Sequence, residues 1–196
     1  MPTGRVEAFS DGVFAIAITL LILTITPPTH GELGHELLRL WPSYVAYVVS
    51  FVTIGIIWVN HHAIFRLFEG VDRTMLFLNV LFLMVVAFIP FPTEVVADNV
   101  RDPGSRRAAA LLYGSNMILL AVGFVVLWVY GSRRLLSADA DPREVASITR
   151  SFIPGTPTYV LGTLLAFVSP IASLVVFAAL AGFYVLSSSL FARDLP

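Results

Sequence analysis

The 196-residue chain contains no cysteine and no lysine; all 12 basic residues are arginines. Without thiols there are no disulfides, no thiolate catalysis and no cysteine-type metal sites. Charge of either sign is scarce, at 13% of residues with a net charge of −1, and the lack of a basic cluster argues against nucleic-acid binding. Low-complexity segments and convincing internal repeats are missing too. No small-residue cleavage pattern follows a basic N-terminal region, so the first apolar segment is expected to stay in the protein. What is abundant is apolar: 57% of residues are hydrophobic and the mean hydropathy is +0.85. A globular domain would carry about a quarter charged residues, so the composition is that of an integral membrane protein.

A span needs about 20 apolar residues at 1.5 Å rise each. The charge-free stretch from 151 to 192 is too long for one helix. Pro154, Pro157 and Pro170 punctuate it, and Ser169 before Pro170 marks a natural break. The expectation is an all-α integral membrane protein, one domain over 1–196, with six transmembrane helices at about 8–26, 40–62, 74–93, 108–131, 156–169 and 171–189. The fifth is short, and a re-entrant course for 156–169 stays open. Placing both termini in the cytoplasm puts Arg5, Arg66, Arg73, Arg133, Arg134, Arg143, Arg150 and Arg193 inside, against Arg39, Arg101, Arg106 and Arg107 outside. That bias sets the orientation of a multi-pass protein of the plasma membrane. Tyr44, Tyr47, Tyr113 and Tyr130 lie near span ends, where interfacial aromatics belong. Pro90 and Pro92 are expected to end or kink the third span, and Gly114, Gly123 and Gly131 permit close helix approach in the fourth.

The first span begins with charge: Arg5, then Phe9, Ser10, Asp11 and Gly12, running straight into apolar residues. On a helix, Gly12, Ile16, Thr19, Leu20, Leu23 and Pro27 fall within about 60° of one line, while Ser10 and Asp11 lie about 120° and 220° from Ile16. Asp11 cannot stay charged against lipid, so it needs protein partners at its own depth. His61 lies five residues from Arg66, Asn79 six from Arg73, and Asp11 six from Arg5, which places all three about 8 to 9 Å inside the same boundary. A cluster of Ser10, Asp11, His61 and Asn79 is expected, with Trp58 as a further indole donor. Spacing alone leaves two readings: a clamp that holds the first helix in one rotation, or separate groups each satisfied by local backbone or water.

Arg5-x-x-x-Phe9-Ser10-Asp11 at the head of the first span, Trp58-x-x-His61 with Phe65 in the second, and Leu78-Asn79 with Phe88-Ile89-Pro90-Phe91 in the third resemble the transmembrane protein 175 family. That family comprises the lysosomal potassium channel and its smaller prokaryotic relatives. The motifs cover about residues 5–93, and the remainder matches by span count. The resemblance implies a potassium-permeable cation channel, a homotetramer of this single block, with one first helix per subunit lining a central pore. It assigns Ile16 to the apolar constriction, Thr19 to a hydroxyl layer linked to selectivity, and Leu20 and Leu23 to further pore-facing turns. It assigns Arg5, Phe9, Ser10, Asp11, Trp58, His61 and Asn79 to the element that anchors the pore helix. Partners would be monovalent cations, the bilayer and the chain itself; K+ would be the permeant ion, with no cofactor. No Thr-Val-Gly-Tyr-Gly filter occurs, so selectivity by stacked carbonyls is not expected.

An ion- or proton-coupled transporter using Asp11 and His61 is the alternative, although such proteins show repeats and broken central helices. No nucleophile or metal constellation points to an enzyme. His61 and His62 are adjacent, with side chains about 100° apart and no accompanying ligand set, so no metal site is read there. Arg5 lies at the pore mouth, where tuning local ion concentration, capping the network and binding headgroups all remain open. Glu94, Asp98 and Asp102 near the outer end of the third span read as a solvated loop or as cation attractors at the entrance.

Overall fold

The computed structural model describes residues 3–152 and 155–191, with side chains to residue 185. Pro154 and Arg193 lie outside the described residues. The chain is helical throughout: α1 (Gly4–Leu20) continues into a single 3-10 turn (Leu21–Thr24), followed by α2 (Leu33–Arg39), α3 (Trp41–Arg66), α4 (Arg73–Ala87), α5 (Pro90–Asn99), α6 (Arg106–Arg134), α7 (Pro142–Phe152), α8 (Gly155–Leu165) and α9 (Pro170–Phe191). Among the described residues four segments are long and apolar enough to cross a membrane: Gly4–Thr24, Trp41–Arg66, Arg73–Asn99 and Arg106–Arg134.

These spans overrun most of the expected boundaries, because helix hydrogen bonding continues into the charged interface where hydropathy already falls; the first instead stops at Thr24, short of the expected 26, and the second begins at Trp41. The third span differs most. Pro90 lacks the amide hydrogen that would reach Val86, so the ladder tightens. Ile89 N–H donates to Val86 at 3.1 Å and Phe91 N–H to Phe88 at 3.1 Å, before Thr93 N–H restores the four-residue spacing to Ile89 at 3.2 Å. Pro90 and Pro92 then occupy the first turn of α5, where no amide hydrogen is needed. The helix is thus kinked and runs on to Asn99, which puts Glu94 and Asp98 on a helix rather than in a loop. Asp102 builds the turn into α6, accepting from Gly104 N–H at 3.1 Å and Ser105 N–H at 3.0 Å. The Ser105 hydroxyl and those amides hold its carboxyl below its ordinary value.

The fifth expected span also changes. α8 has 11 residues, or about 16 Å of helix, half of the roughly 30 Å hydrocarbon core. It ends in a turn before Pro170 and packs on α6 and α9. Ser173 Oγ–H donates to the Gly162 carbonyl at 2.7 Å, locking the α8–α9 corner.

α6 is the spine of the packing. A Cβ at Gly114 would enter Thr163 of α8, and one at Gly131 would enter the ring of Phe68, so these two positions admit no larger side chain without movement. Gly123 faces Phe82 of α4. At one end the loops after α3 and α6 pair through Phe68 and Leu136, with Glu69 N–H bonded to Leu135 and Ser137 N–H to Leu67, each at 2.9 Å. α7 lays Val145, Ile148 and Phe152, one stripe at helical spacing, against this end of the core. Arg66 pairs with Glu144, and Trp128 Nε1–H donates to Thr149 at 3.0 Å. At the other end, the Arg101 guanidinium lies 5.5 Å over the Trp41 ring and donates to the Arg39 carbonyl at 2.7 Å.

Candidate functional site

α1 buries one stripe and leaves its opposite uncovered. Val6, Ser10, Phe14 and Ala17, continued by Leu21 and Thr24, are buried against α3, α4 and α5. Ile16, Leu20 and Leu23 are 61%, 41% and 71% exposed, and Thr19 and Gly12 lie exposed on the same side. Lipid tails are as apolar as leucine, so apolar residues alone are nearly indifferent to which face a membrane helix turns inward. Of the two polar residues in the buried stripe, Thr24 donates to the Leu21 carbonyl within its own turn; the one bonded to another helix decides the rotation.

That residue is Ser10. Its hydroxyl donates to the Val6 carbonyl at 2.8 Å, which leaves a lone pair to accept from Asn79 Nδ2–H at 3.0 Å. Asn79 Oδ1 is then free to accept from His61 Nε2–H at 2.8 Å. The chain of bonds runs through α1, α4 and α3, and all three side chains are at most 2% exposed. Phe65 stacks on the His61 ring at 4.3 Å, Phe82 lies parallel at 5.9 Å, and Phe14 meets it edge-on at 5.4 Å. The imidazole is therefore enclosed by three aromatic rings, with one nitrogen committed to Asn79.

Asp11 stands apart from this chain. Its Oδ1 accepts from Trp58 Nε1–H at 2.8 Å, on an exposed seam between α1 and α3. The expected contact with His61 or Asn79 is not made, because Asp11 is one 100° step beyond Ser10 and leaves the buried stripe. Trp58 likewise sits on a face beside that of His61 and is 43% exposed. Phe9 is 57% exposed and takes no part in the anchoring contacts, being a step on the other side of Ser10. Arg5 is exposed and makes no ion pair among the described residues. A further tie was not anticipated: His62 Nδ1 lies 3.6 Å from Glu7 Oε2, bridging α3 to the first turn of α1.

A second polar cluster lies toward the opposite end. Ser50 of α3, Thr93 of α5 and Tyr113 of α6 meet with oxygens 2.8 Å and 3.3 Å apart, and Thr93 Oγ1–H donates to Ile89 at 2.8 Å beside the proline kink. Tyr113 is therefore a buried partner and not an interfacial aromatic. Tyr130 donates to Asp72, whose other oxygen caps α4 at Met75 N–H. The Met75 amide, then the Tyr130 hydroxyl, hold the Asp72 carboxyl below its ordinary value.

The profile of the family described as endosomal/lysosomal potassium channel TMEM175 matches residues 5–90. A potassium channel of Streptomyces collinus is 47% identical over 189 residues, covering 93% of this chain and 91% of that one. A potassium channel of Chamaesiphon minutus is 43% identical over 194 residues, covering 95% of each. The crystal structure of a lysosomal potassium-selective channel TMEM175 homolog from Chamaesiphon minutus superposes with a TM-score of 0.86 at 41% identity, covering 95% of this chain and 97% of that one. Identity at this level along nearly the whole of both relatives, together with the family profile over the stretch that holds Ser10, His61 and Asn79, establishes that the chain belongs to the TMEM175 family.

Proposed function

We propose that the chain forms a homotetrameric, potassium-permeable channel in the plasma membrane, with both termini cytoplasmic, no cofactor, and one α1 per subunit lining a central pore. One observation carries the reading: a membrane helix held in a fixed rotation by a buried polar chain leaves Ile16, Thr19, Leu20 and Leu23 uncovered on its far side. Four copies around an axis would face these residues inward. A ring of isoleucines makes a narrow neck that dewets, and small side-chain or helix rotations wet it again. Thr19 Oγ–H donates to the Ile16 carbonyl at 2.9 Å, so its free lone pairs point away from the helix. They are acceptors for a partly dehydrated cation. The names of the relatives support potassium as the permeant ion.

The arginine bias supports the orientation. The ends of α1, α3, α4 and α6 that carry Arg5, Arg66, Arg73, Arg133 and Arg134 lie together, through the Glu7–His62 and Phe68–Leu136 contacts. In this reading α8 and α9 form a helical hairpin that completes the six-helix subunit, with α8 reaching partway across. The transporter alternative finds no support. His61 is enclosed and bonded to Asn79, and Asp11 engages Trp58 instead of His61, so the two do not form a proton relay.

Reconstitution in liposomes with a K+ flux assay tests the reading, comparing wild type with Ile16→Asn. A polar ring at the neck retains water, so the variant should conduct several-fold more. Absence of K+ flux from both proteins rejects the channel, and equal flux in both rejects the Ile16 constriction.

A further inference from the structure

We propose that the groove between α4 and α6, at the end carrying Arg133 and Arg134, is a binding site for an anionic phospholipid. The groove encloses about 470 Å³ and is walled by Leu78 of α4 and Val125, Val126 and Val129 of α6, with Arg133 and Arg134 at its mouth. It opens on a continuous outward stripe of α6 formed by Leu119, Val122, Val126 and Val129, all exposed in a helix that spans the bilayer. Arg133 extends that stripe by one further turn. The walls from Val126 to Arg133 cover about 10 Å of helix, the depth of the upper acyl region beneath a headgroup.

The two arginines carry charge that the fold leaves uncommitted. Arg66 at the same end is paired with Glu144, whereas neither Arg133 nor Arg134 has an ion pair within 4 Å among the described residues. Asp72 lies near enough to act on Arg134, but its oxygens already accept from Met75 N–H and Tyr130 O–H. Arg133 and Arg134, neither of them ion-paired among the described residues, leave a positive mouth above an apolar trough. Guanidinium groups bind phosphate oxygens in a planar two-point geometry. Basic pockets between spans hold anionic headgroups in this way. A free phosphate would meet the arginines but leave the valine walls unfilled, so a lipid with an anionic head and acyl chains is the occupant that uses the whole site. The proposal needs the spans but not ion conduction, so it stands or falls separately from the channel reading.

The test uses the full chain purified in detergent and titrated with phosphatidylglycerol in mixed micelles, with bound lipid counted by native mass spectrometry. Phosphatidylcholine and inorganic phosphate serve as parallel probes. Phosphatidylglycerol should be retained over phosphatidylcholine, and its apparent affinity should fall about fivefold for each of Arg133→Gln and Arg134→Gln, following the usual attraction of an arginine to an anionic surface. Val129→Trp fills the groove with both charges intact and should also weaken retention. Arg106→Gln with Arg107→Gln, the adjacent pair at the other end of α6, should leave it unchanged. Wild-type retention in the Arg133/Arg134 double variant, equal loss in the Arg106/Arg107 control, no effect of Val129→Trp, or displacement of the lipid by inorganic phosphate at equal concentration would each overturn the site.

Discussion

The two buried polar clusters differ in one respect that matters for function. The Ser10–Asn79–His61 chain includes the helix whose far side is uncovered, whereas Ser50, Thr93 and Tyr113 join α3, α5 and α6 and leave α1 untouched. Both remove polar groups from lipid, so both stabilise the fold. Only the first also decides which residues α1 presents on its open face. Equal burial therefore does not mean equal consequence: only the first cluster holds the helix proposed to line the pore.

The comparison breaks most visibly at Asn79. Asn79→Leu removes two hydrogen bonds and leaves Ser10 and His61 facing an apolar side chain, at a cost of about 1–3 kcal/mol. The expected outcome is a lower Tm with K+ flux changed by more than destabilisation explains. Ser50→Ala removes the bonds to Thr93 and Tyr113 and should cost about 1 kcal/mol. Its flux per folded channel should match wild type, because α1 keeps its rotation. Trp58→Phe deletes the indole donor to Asp11 on a half-exposed seam and should cost about 0.6 kcal/mol. Flux should nevertheless shift, since the bond ties α1 to α3. The smallest effect is on pH dependence at Asp72. Its carboxyl is held below the ordinary aspartate value of 3.8, so its stabilising contribution is fully present above pH 3.8 and is lost as the pH falls through the lowered value. Melting across pH 3 to 6 should show that loss at the acidic end, and Asp72→Asn should remove it.

Helical arithmetic made one half of this comparison legible and overlooked the other. Depth from the arginines led to Ser10, His61 and Asn79 because a charged motif drew attention to that end of α1. The same counting applied to Ser50, nine residues from Trp41, Tyr113, seven from Arg106, and Thr93, six from Asn99, leads to the second cluster. Single hydroxyls in apolar runs gave no reason to count. Depth and a common direction away from Ile16 group Asp11 with Ser10, yet the 100° between the two is enough to change partners. The course of α4 into α5 was hidden because proline signals an ending as strongly as a kink. The brevity of α8 is legible, because the prolines already confine the fifth span to 156–169; the turn after Leu165 shortens it a little further. The uncovered stripe of Ile16, Thr19, Leu20 and Leu23 was visible as a line on a wheel, but whether that line faced protein or open space required the packed neighbours.

A chain without cysteine permits the direct test of that stripe. Leu23→Cys and Leu21→Cys place one thiol on each side of the same turn, at sites 71% and 0% exposed. K+ flux is measured in liposomes before and after a charged, water-soluble methanethiosulfonate reagent. If α1 lines the ion path with its uncovered face, the reagent abolishes flux through Leu23→Cys and leaves Leu21→Cys unaffected. Block at Leu21→Cys with none at Leu23→Cys, or no block at either, would contradict the assignment of that face to the pore.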